Sequence, residues 1–517
     1  MSEDLAGLLA RAAHTEPDRT AVVGSGLRWD FASLDRRADV VACEVDRLLP
    51  GGGATVAVSA GLHPDFAAAY YGVARSGNVV AVINPLLRED NLRHVLALSG
   101  ARLAFVDIAV YQHLKAAQDE LPELTGVVLT GAVPDDGRSG APAPWLADLT
   151  GPGKGPGTRR TAAPADPDDV VCIQFTSGTT GRPKGVRLTH RNLVTNAAQI
   201  AAAHRLDHRS VSVNHLPTYH PMHLNSAIAA RATQILCREP DPLAAVAEAG
   251  RHGATHFYSL PVRLARLAAH PDLPKTRLPT VTAIASGGSG LPAGPANTLG
   301  EHFGVPVFQG YGLAETSPLT HSGTPDDTVP GSVGRPVHGT ECRIVGVESR
   351  SELPAGETGE IQVRGPQVMK GYLGGPDGAG LERDGWFSTG DVGRLDEDGR
   401  LFLVDRLKDI FKCDNFLVSP SEIELVLLRD PRVLECAVVE LPDASSGAVA
   451  GALVALRPEA LADGAALADV IEDVNDRVPY YQRLRHAEAV EALPRSANGK
   501  IQRRDLGAAL AGRLGLG

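Results

Sequence analysis

The run Thr176-Ser177-Gly178-Thr179-Thr180-Gly181-Arg182-Pro183-Lys184-Gly185 combines hydroxyls, glycines and two cations. Glycines let a backbone approach a ligand closely and adopt positive φ. Hydroxyls and free N–H groups donate to phosphate oxygens, and Arg182 and Lys184 balance the charge. The chemistry expected of such a loop is the gripping of phosphates. Its spacing is not the Gly-x4-Gly-Lys-Ser/Thr pattern, because Lys184 is followed by Gly185 and no glycine precedes it directly. A second run, Gln309-Gly310-Tyr311-Gly312-Leu313-Ala314-Glu315-Thr316, holds an aromatic face suited to a flat base and a carboxylate, a hard ligand for Mg²⁺. In Trp386-Phe387-Ser388-Thr389-Gly390-Asp391 the ionised carboxylate can accept two hydroxyls at once. In Pro494-Arg495-Ser496-Ala497-Asn498-Gly499-Lys500-Ile501 the Asn-Gly pair makes a tight turn that projects Lys500. Singly, each has a plain alternative: a flexible loop, a core tyrosine, a turn-forming Asp, a solvated Lys.

These residues need elements to position them. Val170-Val171-Cys172-Ile173-Gln174-Phe175 is apolar and β-branched, and reads as a buried strand feeding the glycine loop. Residues 4–125 alternate helical patterns with short apolar strands such as Thr55-Val56-Ala57-Val58 and Val79-Val80-Ala81-Val82-Ile83. That pattern predicts an α/β domain with mostly parallel sheets. From about Gly131 to Asp169 the chain is aperiodic and rich in Pro, Gly, Ala and Asp, which reads as a surface loop. Thr189 is an N-cap candidate before an alanine-rich helix. The α/β pattern runs to about residue 330, and short strands over about 331–405 suggest a small β subdomain. A boundary follows at Asp405-Arg406-Leu407-Lys408-Asp409, and Ser419-Pro420-Ser421-Glu422 fits a capping box. The expected division is residues 1–405 as the large N-terminal domain and 406–517 as a small mobile α+β domain.

A chain of 517 residues is too long for one core. The 43% hydrophobic and 21% charged content suits a soluble globular protein. A net charge of −11 argues against nucleic acid as a partner. None of the six cysteines forms a CxxC pair, so reduced thiols in a cytoplasmic protein are expected. The first residues are acidic and unlike a signal peptide, and no apolar run is long enough to span a membrane.

In order and content these segments resemble the adenylate-forming ligases: acyl-CoA synthetases, non-ribosomal peptide synthetase adenylation domains and luciferases. The resemblance covers nearly the whole chain. It implies that Thr176, Ser177, Gly178, Thr179, Thr180 and Lys184 hold phosphates. Gly288, Gly310, Tyr311, Gly312 and Thr316 would bind the nucleotide, Tyr311 along the adenine. Glu315, with Thr176, would hold Mg²⁺. Asp391 and Arg406 would reach the ribose. Ser286-Gly287-Gly288-Ser289-Gly290 resembles the loop beside the adenine and acid pockets. Leu216-Pro217-Thr218-Tyr219-His220-Pro221-Met222-His223 resembles the segment flanking the acid pocket, with His220 as its gate. Met222, Ser226, Gly287, Gly310 and Pro318 would line that pocket. Lys408 or Asp409 stands at the hinge, and Lys500 and Lys412 would be catalytic. Position 314 is Ala where many relatives have Thr.

The implied reaction is two-step. A carboxylate attacks the α-phosphate of Mg·ATP, and rotation of the small domain admits a nucleophile that displaces AMP. ATP and Mg²⁺ are the expected cofactors and CoA the default acceptor. The segment Phe411-Lys412-Cys413-Asp414-Asn415-Phe416-Leu417-Val418 departs from the Lys-Tyr-Lys-Gly-Phe-Gln-Val common in CoA ligases. Asp414 would repel CoA phosphates, and Asn415 would narrow a tunnel built on glycine. An amine acceptor is therefore the alternative, giving an amide, or a diazo product if nitrite is the activated acid. Of a different class, a non-catalytic nucleotide binder is disfavoured by Lys184, Glu315, Asp391 and Lys500, and a luciferase-like oxygenase has no residue that supports it. The partners expected are a small-molecule acid and a CoA or amine acceptor, with no membrane, in a monomer or homodimer. The acid itself is not fixed by sequence.

Overall fold

The helix Phe31–Leu48 shows how local sequence builds the molecule. Asp30 accepts a hydrogen bond from Ser33 N at 2.6 Å and so caps the first turn. Phe31, Leu34, Ala38, Val41, Ala42 and Val45 recur at three- and four-residue spacing and are all buried. That stripe packs on the helix Pro64–Arg75, which is buried on every side. The two pack tightly at Gly72, where an added Cβ would lie 2.5 Å from Val41 Cβ and 2.8 Å from Ala38 O. This computed structural model describes residues 4–133, 143–150, 165–176, 182–414, 416–461, 466–495 and 501–516.

The fold is mixed α/β, with two large, mostly parallel sheets and a C-terminal domain. One sheet has seven strands, in the order Gly371–Tyr372, Gly185–Thr189, Val170–Phe175, Val79–Ile83, Thr55–Ser59, Ala101–Asp107, Gly126–Thr130. Its neighbours from Val170–Phe175 onward run parallel. Parallel strands are covered on both faces, which is why Val79–Ile83 reads as a continuous apolar run. The other sheet has nine strands, and from Val307–Gly312 to Thr20–Gly24 its neighbours are parallel. Leu319–Ser322 adds antiparallel to the Val307–Gly312 edge.

The chain divides into two compact units. The first comprises Met1–Cys342, Val363–Phe387 and Gly399–Leu401; the second comprises Arg343–Gln362, Ser388–Asp398 and Phe402–Gly517. A four-stranded sheet runs in the order Glu341–Val345, Gly359–Arg364, Phe387–Leu395, Leu401–Arg406, and most of it belongs to the second unit. The second unit also holds a sheet in which Phe416–Val418, Phe411–Cys413, Gly447–Leu456 and Val433–Asp443 are successive neighbours. Leu484–Ala489 pairs with Gly447–Leu456 in parallel. Its core joins Val438, Ala450 and Leu453 to Ile423, Leu427, Val470 and Leu510 from three helices.

Two local expectations change. The stretch read as a surface loop contains a short helix, Leu146–Thr150, with Trp145 and Leu146 buried. An apolar pair within a polar, proline-rich segment is enough to dock it against a core that also holds Leu129. Ser419 does cap the helix Pro420–Leu427, but Glu422 turns its carboxylate to Gln482. Asp405 instead accepts from Ser421 N at 2.9 Å and from the Ser419 hydroxyl at 3.0 Å. All six cysteines are free thiols. Among the described residues no helix is long and apolar enough to cross a membrane.

Gly72 yields a test. Alanine is worth about 1 kcal/mol over glycine in a helix. Overpacking a tight contact costs about 1–3 kcal/mol, and the Ala38 carbonyl is backbone that cannot swing away. Gly72→Ala should therefore lower the urea unfolding midpoint despite its better helix propensity. An unchanged or raised midpoint would show that the two helices can separate freely.

Candidate active site

The strands Val170–Phe175 and Gly185–Thr189 run antiparallel and carry the ends of the glycine loop. Its neck is closed by Thr176 N donating to Lys184 O at 3.0 Å. Lys184 N returns a longer bond of 3.4 Å to the Thr176 hydroxyl. Ser177, Gly178, Thr179, Thr180 and Gly181 lie outside the described residues. His94 Nε2 donates to Pro183 O at 3.0 Å, which ties the neck to the helix Glu89–Ser99. The exposed Lys184 ammonium lies 5.3 Å from the centre of the Tyr372 ring, within cation–π range.

At the end of the Val307–Gly312 strand the chain folds back on itself. A Cβ on Gly312 would lie 1.9 Å from Pro318 O, so no other residue fits there. Leu313 N donates to Pro318 O at 3.1 Å, and Ser317 takes φ +74 with its hydroxyl on Gln367 O at 2.9 Å. Tyr311 is buried, while Gly312 beside it is exposed. The Thr316 hydroxyl accepts from Leu313 N at 3.0 Å and donates to Pro318 O. Thr316 is fully buried, so its hydroxyl holds the turn together.

Glu315 is buried, and its Oε1 accepts the Tyr372 hydroxyl at 2.9 Å. Burial and then the Glu315 charge push the Tyr372 phenol well up, so it stays a donor. A carboxylate oriented through one oxygen in this way suits a hard divalent cation. Gly287 and Gly288 follow the strand Ala283–Ser286, with Gly288 at φ +88. Pro318 is half-buried beside Leu319. Asn196 grips Leu319 by both backbone groups, donating to its O at 2.8 Å and accepting from its N at 3.1 Å.

His220 caps the helix Pro221–Ala230, its Nδ1 accepting from Met222 N at 3.1 Å. The proton of the neutral ring is therefore on Nε2. Burial lowers the pKa of this histidine to about 4. Met222 packs against Ile200, Leu319 and Val337. Ser226 is buried, its hydroxyl directed to His223 O at 3.4 Å.

In the second unit Asp391 is buried on the strand Phe387–Leu395, and Arg406 Nε lies 3.3 Å from its carboxylate. Lys408 is exposed, and its carbonyl accepts from Arg504 at 3.3 Å. Lys412 forms an ion pair with Glu348. Cys413 is buried in the core, and the exposed Asp414 takes φ +49. Asn415 and Lys500 lie outside the described residues. Both flanks of residues 496–500 are fixed. Before them, Arg495 pairs with Glu435 at 2.6 Å; after them, Arg503 pairs with Glu424 at 2.7 Å and lies 3.9 Å from Asp409.

The first unit thus presents the closed neck of a glycine-rich run, a tight turn after Tyr311 and a carboxylate suited to a cation. The second presents a carboxylate–guanidinium pair and the staked flanks of residues 496–500. Residues 9–373 match the AMP-binding enzyme family and 422–500 its C-terminal domain. The chain belongs to the AMP-binding enzyme family, the adenylate-forming ligases. It is an ATP-dependent, AMP-forming ligase of acyl-CoA synthetase type.

Relatives include 4-coumarate–CoA ligase 5 of Oryza sativa subsp. japonica, 30% identical over 96% of this chain and 92% of that one. Another is 4-coumarate–CoA ligase 2 of Nicotiana tabacum, 34% identical over 67% of each chain. ATP-bound MatB from Rhodopseudomonas palustris superposes with a TM-score of 0.87 at 28% identity, covering 98% of both chains. The anthranilate CoA ligase AuaEII, in complex with anthranoyl-AMP, gives 0.87 at 25% identity, covering 99% of this chain and 98% of that one. The amide bond synthetase McbA from Marinactinospora thermotolerans shares the fold, at 0.83 and 24%, covering 98% of this chain and 99% of that one.

Sequence reading missed Tyr372 and the two buried asparagines, Asn192 and Asn196. Asn192 donates to Pro366 O at 2.8 Å and Val368 O at 2.9 Å, tying down the segment that leads to Tyr372. A signal existed: two asparagines four apart in an alanine-rich helix place polar groups on one buried face.

Burial of histidines sets a pH dependence. His204 and His321 are almost fully buried, and burial lowers the pKa of each to about 3. An unfolded histidine titrates near 6.5. Between those values the unfolded chain binds protons that the folded chain refuses. Stability is therefore full above about pH 6.5 and falls as pH drops towards 3. At pH 5 the loss is on the order of 2 kcal/mol for each of these two histidines. The melting temperature should fall steadily from pH 7 to 5, and less so in His321→Gln. A flat profile would contradict the neutral, buried state.

Proposed function

We propose that this ligase activates a small-molecule carboxylic acid as its acyl adenylate and passes the acyl group to CoA. The observation that supports it most is the Gly312–Thr316 turn. It holds the Glu315 carboxylate on Tyr372, whose ring faces Lys184 at the neck of the phosphate loop.

In this reading a carboxylate oxygen attacks the α-phosphorus and the bond to pyrophosphate breaks. Thr176 and Lys184, with residues 177–180, grip the phosphates. Lys500 balances the charge that develops on the phosphoryl oxygens. Glu315, with Thr176, would hold Mg²⁺, which would neutralise phosphate charge. Tyr311 and the backbone at Gly288, Gly310 and Gly312 would receive the base. Asp391 would accept the ribose hydroxyls, with the Arg406 guanidinium beside it. Met222, Ser226, Gly287, Gly310 and Pro318 would border the acid. In the second step a nucleophile attacks the carbonyl carbon and AMP leaves. Lys408 would absorb the hinge rotation, and Lys412 would exchange its Glu348 partner for the reacting groups. His220, neutral with its proton on Nε2, can donate to an oxygen at the gate without adding charge.

A second reading keeps the adenylate and transfers it to an amine. The exposed Asp414, at positive φ in the post-hinge turn, favours it, because a carboxylate there opposes a polyanionic acceptor.

The test is pyrophosphate release from Mg·ATP with aryl, short-chain and fatty acids and nitrite, with and without CoA, and with an aryl amine. A CoA-stimulated hit with a thioester in the mass spectrum is expected, and Lys500→Ala should abolish release while leaving ATP binding largely intact. An acid hit indifferent to CoA but yielding an amide or diazo product would replace CoA by the amine. Pyrophosphate release at wild-type rate in Lys500→Ala would remove that lysine from the mechanism.

A further inference from the structure

A chain of buried polar groups lies in the first unit, and no step of the proposed reaction uses it. The Ser322 hydroxyl donates to Gly323 O at 2.6 Å. A hydroxyl has one proton, so its 3.3 Å contact with His204 Nε2 must be one it accepts. Burial keeps His204 neutral. Its Nδ1 is therefore a bare lone pair and accepts the Tyr258 hydroxyl at 3.0 Å. The His204 carbonyl in turn accepts from His256 Nε2 at 2.9 Å. Tyr258 is thus fixed, and its one proton is directed to His204 rather than to the ring tilted against it.

That ring is His223, with centroids 4.7 Å apart. On the same helix His220 accepts from Met222 N, Asn225 bonds Tyr70 and Tyr71, and Ser226 turns to a backbone carbonyl. Among the described residues His223 has no such partner, and its Nδ1 is buried and unpaired. Buried polar atoms are nearly always paired, so an unpaired one calls for an explanation.

The sheet beneath supplies one. Tyr258, Ala285 and Phe308 are cross-strand neighbours and share a face. Two residues further on, that face reaches Gly287 and Gly310. A Cβ at Gly287 would meet nothing closer than Gly310 O at 3.5 Å, so the face is open at Gly287, while at Gly310 Leu319 Cδ1 lies 2.8 Å from where a Cβ would stand and closes that side. These are the glycines expected to border the acid, and His223 stands at the Tyr258 edge of the same surface.

We propose that His223 is the specificity-determining residue of the acid site, receiving an uncharged hydroxyl or amino group at the end of the acid remote from its carboxylate. This rests on the reading of that surface as an acid pocket. The groups facing His223 are His220, His204 and Tyr258, all neutral. Burial, then the two neighbouring histidines, lowers the His223 pKa to about 3. Among the described residues no cation is recorded against His223 to balance a second carboxylate, so dicarboxylic acids are rejected. An unsubstituted acid leaves the imidazole unmet and loses about tenfold to a hundredfold in kcat/KM.

The experiment uses the full chain and benzoic and cinnamic acids that differ only in the distal group: hydrogen, methyl, hydroxyl, amino or carboxylate. ATP–pyrophosphate exchange gives kcat/KM, and calorimetry without ATP gives acid binding. Wild type should rank hydroxyl and amino at least tenfold above methyl and reject the second carboxylate. His223→Phe keeps the ring contact with Tyr258 and should bring the hydroxyl-to-methyl ratio close to one. His223→Asn, which restores a polar atom near Nδ1, should recover part of it. A ratio unchanged in His223→Phe, or a wild-type preference for the second carboxylate, overturns the proposal. If no acid supports exchange but calorimetry keeps the ranking and its loss in His223→Phe, adenylation fails and the pocket assignment stands.

Discussion

The closest backbone approach in the candidate site is Gly312 against the Pro318 carbonyl. Only a residue without Cβ permits it. That contact lets Leu313 N reach Pro318 O and lets the buried Thr316 hydroxyl close the turn. The turn in turn sets the direction of the Glu315 carboxylate, which Tyr372 then holds. Tyr372 belongs to the edge strand that pairs with Gly185–Thr189, the strand that follows the glycine-rich run and its loop neck. One steric constraint at a glycine is thus transmitted through a hydroxyl, a carboxylate and a phenol to the base of that loop.

In the second unit the organising interactions are charge pairs. Arg503 meets Glu424 and comes near Asp409, and Arg504 meets the Lys408 carbonyl. Glu424 also accepts from Val438 N at 2.8 Å. Burial raises the Glu424 pKa, with Arg503 opposing the shift. Pairs of this kind add little net stability, because desolvation offsets the Coulomb attraction. Their value is geometric: they register the segment that follows residue 500 against Lys408 and Asp409. Arg495 and Glu435 do the same on the other flank.

The large architecture was legible in sequence because buried parallel strands and amphipathic helices differ in period. Thr189 was legible as a cap, and its reciprocal pair with Asn192 is present. What escaped depended on contacts between residues distant in the chain. Tyr372 finds Glu315 across 57 residues, and His204 finds Ser322 across 118. No local pattern encodes either contact. The short helix after Trp145 escaped because proline and glycine around it outweighed one apolar pair. The inward Thr316 hydroxyl escaped because motif position alone does not say which side of a turn a side chain takes.

The central claim is that a carboxylate oxygen of the acid becomes bonded to the α-phosphorus. It is tested most directly with an acid labelled with ¹⁸O in both carboxylate oxygens, followed through a complete turnover with its acceptor. Attack on the α-phosphorus and later acyl transfer leave one labelled oxygen in AMP and none in pyrophosphate. Label in pyrophosphate, or unlabelled AMP beside a formed product, would contradict the account.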